Sequence, residues 1–202
     1  MKATAAALER LPTAVFVDLK TRCAEPQRHY HVWRHVEALL EWWEGRLDAL
    51  GDPEAVFLAI LFHDAVYDPT RADNESRSAD LLVKAMLPQT VPATRDRAVR
   101  MIHATAGHEM PKDLPSEDAI DLAEFLDMDL SILGAPAQVF DAYEDAIRAE
   151  YAFVPEALYR VGRARILTNF LERPRLYFSQ WGRAQFEKRA RANISRSIAA
   201  LA

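Results

Sequence analysis

An all-α fold follows from three observations on this 202-residue chain. Apolar residues recur at spacings of three and four, alternating runs with glycine-rich hairpin turns are missing, and prolines sit between the periodic segments. The pattern predicts helices near Thr13–Ala24, Val32–Leu50, Pro53–Ala65, Asn74–Leu87, Ala93–Ala106, Ser116–Leu133, Ala137–Tyr151, Pro155–Leu171 and Trp181–Leu201. In the second, Val36, Leu39, Trp43 and Leu47 form a core stripe. Gly51-Asp52-Pro53 stops that helix and starts the third, whose run Val56 to Phe62 is apolar all round and so expected to be buried. Asp73 and Asn74 read as caps of the fourth, with Glu75 complementing its dipole. Pro88 and Pro92 bound the fifth, Pro111 and Pro115 precede the sixth, and Pro136, Pro155 and Pro174 punctuate the rest.

Half the residues are hydrophobic and 27% charged, as in an ordinary globular protein. The length suggests one domain over residues 1–202, with a motif-bearing core near 29–130 and additional C-terminal helices near 137–201. Glu9 and Arg10 interrupt the opening apolar stretch before a signal-peptide core forms, and no later stretch reaches the ~18 residues of a membrane span. Cys23 has no intrachain partner and reads as a buried, inert thiol, which agrees with a reducing cytoplasm. A net charge of −5 argues against general polyanion binding but leaves room for one small phosphorylated substrate held by a few arginines. The basic residues Arg183, Lys188, Arg189, Arg191 and Arg196 lack aromatic interleaving and read as an exposed face, not a nucleic-acid site.

All six histidines lie between His29 and His108. His31 and His35 are four apart, so a helix beginning at the first of them would set both on one face, about 5–6 Å apart at Cβ. His63 and Asp64 close the apolar run, placing a carboxylate beside an imidazole where burial demands a partner or a metal. Adjacent residues diverge by ~100° on a regular helix, so the doublet can share one ion only if the ion sits in the groove between their directions or the helix is distorted, which is attainable at a helix end. Farther on, the stripe Leu122, Leu126, Asp129, Leu133 sets Asp129 toward the core, whereas Asp127 shares a face with Glu124 and Ser131. Asp129 then needs either a metal or an arginine or backbone partner, and Asp127 would at most support the site from outside.

A separated histidine, a His-Asp doublet and a distant aspartate in a helical chain resemble the HD-domain superfamily of metal-dependent phosphohydrolases, in the manner of a bacterial branch of predicted HD phosphohydrolases. The likeness spans about His29 to Asp129. Tyr30-His31-Val32-Trp33-Arg34-His35 resembles the Tyr-His-Asn-x-x-His-Ala segment of cyclic-nucleotide phosphodiesterases, with Val32 and Val36 as departures, and Met128-Asp129-Leu130-Ser131 resembles their Ala-Asp-Leu-Ser. The resemblance implies metal ligation by His35, His63, Asp64 and Asp129, and an acid role for His31. It also implies that His103 and His108 can serve a second metal position or contact phosphate; the other reading is a helix-face histidine and a solvated loop histidine. His63-Asp64-Ala65-Val66-Tyr67-Asp68 is similar to the His-Asp-x-x-Glu-Asp of guanosine-tetraphosphate hydrolases, which casts Asp68 as water-activating, although Tyr67 replaces the glutamate.

Glu75 is the next acidic candidate for catalysis. Arg28, Arg34, Arg71 and Arg77 are near enough in sequence to meet phosphate, and Trp33, between the two histidines, can wall a nucleotide pocket. The mixed nitrogen and oxygen donors suit Mn, Fe, Co, Ni, Zn or Mg, and such an ion can acidify water and polarise a phosphoryl oxygen. The expected function is hydrolysis of a phosphate ester or anhydride of a nucleotide or other small metabolite. The alternative is a degenerate HD domain that senses metal or nucleotide.

Overall fold

A computed structural model describes residues 2–85, 87–112 and 114–202. The described residues are helical throughout their regular structure, with no strand among them, so the chain is all-α. It gathers into two compact units, 1–128 and 129–202, where the sequence suggests one domain. None of the helices is long and apolar enough to cross a membrane among the described residues.

The first unit carries α1 (Lys2–Glu9), α2 (Thr13–Arg22), α3 (Trp33–Arg46), α4 (Pro53–Phe62), α5 (Asn74–Lys84), α6 (Pro92–Ala104) and most of α7 (Ser116–Asp129). Helix α4 packs against α3, α5 and α6, and Ala55 to Phe62 are buried without interruption, as the apolar run predicts. Its start is fixed by Pro53 in the first turn and by Asp52, whose Oδ1 accepts from Ala55 N at 3.0 Å. Asp121 of α7 reinforces the turn by accepting from Gly51 N and Asp52 N, both at 2.7 Å. Arg46 on Glu124, at 2.9 Å through two nitrogens, and Arg100 on Asp118 further fasten α7 within this unit.

Helix α1 was not anticipated. Its four alanines favour helix intrinsically, but none of its residues is buried, so no apolar stripe announces it. Helix α5 stops at Lys84, short of the expected Leu87; residue 86 of that segment lies outside the described residues. Helix α4 likewise ends at Phe62 instead of Ala65.

The second unit begins with the last residue of α7, followed by a 3-10 turn, Leu130–Gly134, then α8 (Ala137–Glu150), α9 (Glu156–Glu172), α10 (Gln180–Gly182), a π-helical turn at Arg183–Glu187 and α11 (Lys188–Leu201). The π turn interrupts the expected helix Trp181–Leu201. There Glu187 turns back to accept from Leu176 N and Tyr177 N at 3.1 to 3.3 Å, and Phe186 lies against the 3-10 turn. Within this unit Arg163 pairs with Glu144 and donates to Tyr143 Oη at 2.9 Å, while Ser197 donates to Glu144 at 2.9 Å. Of the basic residues here, Lys188, Arg189 and Arg196 are exposed, as an exposed face predicts, whereas Arg183 and Arg191 are half-buried, Arg191 donating to Leu171 O and Arg173 O and Arg183 to Phe178 O.

Gly134 admits this packing by lacking a side chain. A Cβ there would lie 2.5 Å from Phe186 Cβ and 2.8 Å from its Cα. Gly134→Ala is expected to lose about 1–3 kcal/mol through overpacking, read as a lower urea midpoint. An unchanged midpoint would mean that Phe186 yields freely.

Candidate metal centre

Helix α4 ends at Phe62, and His63 takes the C-cap position with helical angles. The doublet therefore stands at a helix end, where adjacent residues can converge. His63 Nε2 lies 3.0 Å from Asp64 Oδ2 and 3.2 Å from His35 Nε2, and His35 Nε2 is 3.7 Å from the same carboxylate oxygen. Among the described residues these three form a group whose donor atoms all lie within 4.8 Å of one another.

The tautomer of His63 gives that group chemical meaning. Its Nδ1 is 3.0 Å from Ile60 O, and a carbonyl can only accept, so Nδ1 carries the proton. Neutral His63 then presents the Nε2 lone pair to a carboxylate oxygen at contact distance. A positive centre relieves this arrangement, either a second proton on the ring or a cation between the donors. Imidazole nitrogens and a carboxylate oxygen, clustered this closely, suit a divalent ion with bonds of about 2.0–2.2 Å.

Burial pushes the Asp64 carboxyl up, but the positive charge that His63, His31 and His35 carry when protonated, together with the hydrogen bond a protonated His63 donates, outweighs it. The group is held below the usual carboxylate range and stands ready as an anionic ligand. His35 and His63 are buried, while His31 and Asp64 keep about a fifth of their side-chain surface exposed, 19% and 23%. The site is thus enclosed on one side and open on the other.

His31 does not lie one helical turn before His35. Helix α3 starts at Trp33, Val32 is its extended N-cap, and His31 occupies the bend before it. Its ring still faces the group, with Nε2 4.0 Å from Asp64 Oδ2 and the ring centroid 6.2 Å from that of His35. Tyr67 stacks on it at 4.2 Å, and Tyr30 lies 4.9 Å from His35. Neither tyrosine was singled out as part of the site for its ring; Tyr67 entered only as a missing glutamate, and its position three residues after Asp64 was the available signal.

The expected outer placement of Asp127 is overturned. It is fully buried, 0% exposed, because α7 is covered nearly all round from Asp121 to Met128 and a single-stripe reading fails there. Asp129 is half-buried and opens the second unit. His103 is exposed on α6, and His108 sits beyond that helix in left-handed backbone, φ 47°; neither belongs to the three-residue group.

Asp68 is engaged in its own turn. Its Oδ1 accepts from Thr70 Oγ1 at 2.6 Å and Thr70 N at 2.9 Å, and the Thr70 hydroxyl holds its carboxyl below the usual range, which makes it a poorer base. Glu75 lies half-buried in the first turn of α5, as a dipole partner would. Asp73 makes no side-chain cap bond and instead binds Arg71, while Asn74 bridges to the Asp68 backbone through N–H at 3.1 Å and carbonyl at 2.8 Å.

Among the substrate candidates, Arg34 and Arg77 are exposed. Trp33 is half-buried and packs edge-on to Phe16 of α2 at 5.5 Å, with the Lys20 ammonium 4.4 Å from its ring. Arg28 departs furthest from expectation. Its side chain is wholly enclosed, which removes it from the substrate-facing set. Cys23 is buried and its thiol is pushed up by that burial, in keeping with an inert cysteine.

Comparison with protein-family models, curated proteins and solved structures finds no match.

Proposed function

We propose that this chain is a metal-dependent phosphohydrolase of the HD type, acting on a phosphate ester or anhydride of a nucleotide or other small metabolite. The observation that carries the reading is the convergence of His35 Nε2, His63 Nε2 and Asp64 Oδ2 beside a partly exposed His31. These are residues of the motifs that resemble HD enzymes. A bound divalent ion, drawn from Mn, Fe, Co, Ni, Zn or Mg, supplies polarisation of the phosphoryl oxygen and acidification of attacking water. His35, His63 and Asp64 hold it, His31 donates a proton to the leaving oxygen, and Tyr67 fixes the plane of that imidazole. Exposed Arg34 and Arg77 are the proposed phosphate partners. The setting is proposed to be cytoplasmic, with neither membrane nor nucleic acid as partner.

A sensor that binds metal or nucleotide without turnover is the second reading. It is favoured by Tyr67 in place of an acidic residue and by Asp68 being committed to Thr70.

Metal analysis of protein purified without an affinity tag, followed by assays on p-nitrophenyl phosphate, bis-p-nitrophenyl phosphate and a nucleotide panel, separates the readings. Stoichiometric divalent metal with chelator-sensitive turnover is the expected result. Binding of metal or nucleotide without turnover would establish the sensor, protein that takes up no divalent metal would overturn the hydrolase, and protein that binds neither metal nor nucleotide would overturn both.

A further inference from the structure

We propose that Arg28 is a positioning residue for the metal centre, a buried guanidinium that sets the distance between the segment bearing His31 and the segment bearing Asp64. The inference rests on the metal reading above.

Arg28 Nη1 donates to His31 O at 3.1 Å and to Asp64 O at 2.6 Å, and Nη2 donates to Ala65 O at 3.1 Å. One carbonyl is three residues away in sequence; the others are 36 and 37 away. A single planar group therefore clamps the main chain of two distant segments at the residues whose side chains meet in the site. Nε is turned to Glu25 Oε2 at 3.1 Å, and Gln27 links the same carboxylate, at 2.9 Å, to Tyr67 O, at 3.2 Å. The guanidinium also lies 5.4 Å from the Tyr67 ring centre, on the tyrosine that stacks on His31.

The physical need is clear from α4. A buried helix leaves its last carbonyls requiring donors, and its C-terminal end is the negative end of the dipole. Around this end Ala59 O accepts from His63 N and Ile60 O from His63 Nδ1, while the carbonyls just beyond the helix are taken by Arg28. A lysine supplies the charge at one point but lacks a rigid fork that reaches three carbonyls. Arg28 is distinct from the ligands because it touches only their main chain.

The test uses the full chain and Co²⁺ as probe, in wild type, Arg28→Lys, Arg28→Met and Glu25→Gln. Dissociation constants come from chelator competition, ligand-field bands from visible absorption, and folding from far-UV circular dichroism and the metal-free unfolding midpoint. Outer-shell partners of metal ligands typically change affinity by 10–100-fold. Arg28→Lys and Arg28→Met are expected to weaken Co²⁺ binding by about that factor and to shift the bands. Glu25→Gln, which alters only an exposed anchor of the guanidinium, should weaken binding a few-fold while the fold is kept, so the inference stays testable if Arg28→Met does not fold. A role in folding alone predicts lower metal-free midpoints with wild-type affinity and bands, and that result overturns the proposal. Failure of the wild type itself to bind Co²⁺ would instead remove the metal reading and this inference with it.

Discussion

Protein carrying Asp64→Asn or His63→Ala is expected to purify without stoichiometric divalent metal and to show no turnover above background. Each change removes one of the three donors that converge among the described residues of the first unit, and the ligands left do not hold an ion tightly. Asn retains the shape of Asp, so Asp64→Asn separates coordination from packing. His63→Ala also opens space beside Phe125, whose ring lies 5.8 Å away, and should destabilise the fold further. A ligand that binds only the native state at ~100 times its dissociation constant contributes ~2.7 kcal/mol. Chelation should therefore lower the wild-type melting temperature by about 5–10 °C, at roughly 2–4 °C per kcal/mol for a chain of this size. It should leave Asp64→Asn unmoved. Wild-type metal content in both variants would refute the ligand assignment.

For His31→Gln, metal should be retained while activity falls sharply on substrates with poor leaving groups. The ring is 4.0 Å from Asp64 Oδ2, partly exposed and braced by Tyr67, which suits a proton donor facing substrate better than a buried ligand. General acid catalysis typically contributes ~10²–10⁴-fold, and its value shrinks when the departing group is already stable as an anion. kcat/KM should accordingly drop much more on a nucleoside or alkyl phosphate than on p-nitrophenyl phosphate. Equal losses on both, with metal intact, would assign His31 to simple positioning. Loss of metal would make it a ligand.

Much of the fold was legible because its helices announce themselves by burial. Residues Val36, Leu39 and Trp43 are buried as their stripe predicts, and the start of α4 at Pro53 follows from the Gly-Asp-Pro signal. Helix α1 was not legible because alanine propensity without an apolar stripe leaves no periodic trace. The π turn escaped because its cause, Glu187 reaching back to the Leu176 and Tyr177 amides, is tertiary. Within the site, joining His35 to the doublet is what the family resemblance implies, and those three donors do lie together. The orientation of Arg28 could not be anticipated, since nothing local distinguishes a guanidinium meant for phosphate from one that binds main-chain carbonyls 36 residues away. Asp127 misled for a related reason: a helix covered on nearly every side offers no outer face on which to place a polar residue.

The enclosure of α4 also governs how this part of the molecule moves. Eight consecutive residues, Ala55 to Phe62, are shielded from water, so its amides have no cheap route to exchange and open only when the surrounding helices come apart. His63 and Asp64 ride on the end of that slow element. The stretch between α2 and α3, which delivers His31, and the stretch that follows α4 from His63 are instead built of turns and bends, so their amides are expected to exchange before those of α4.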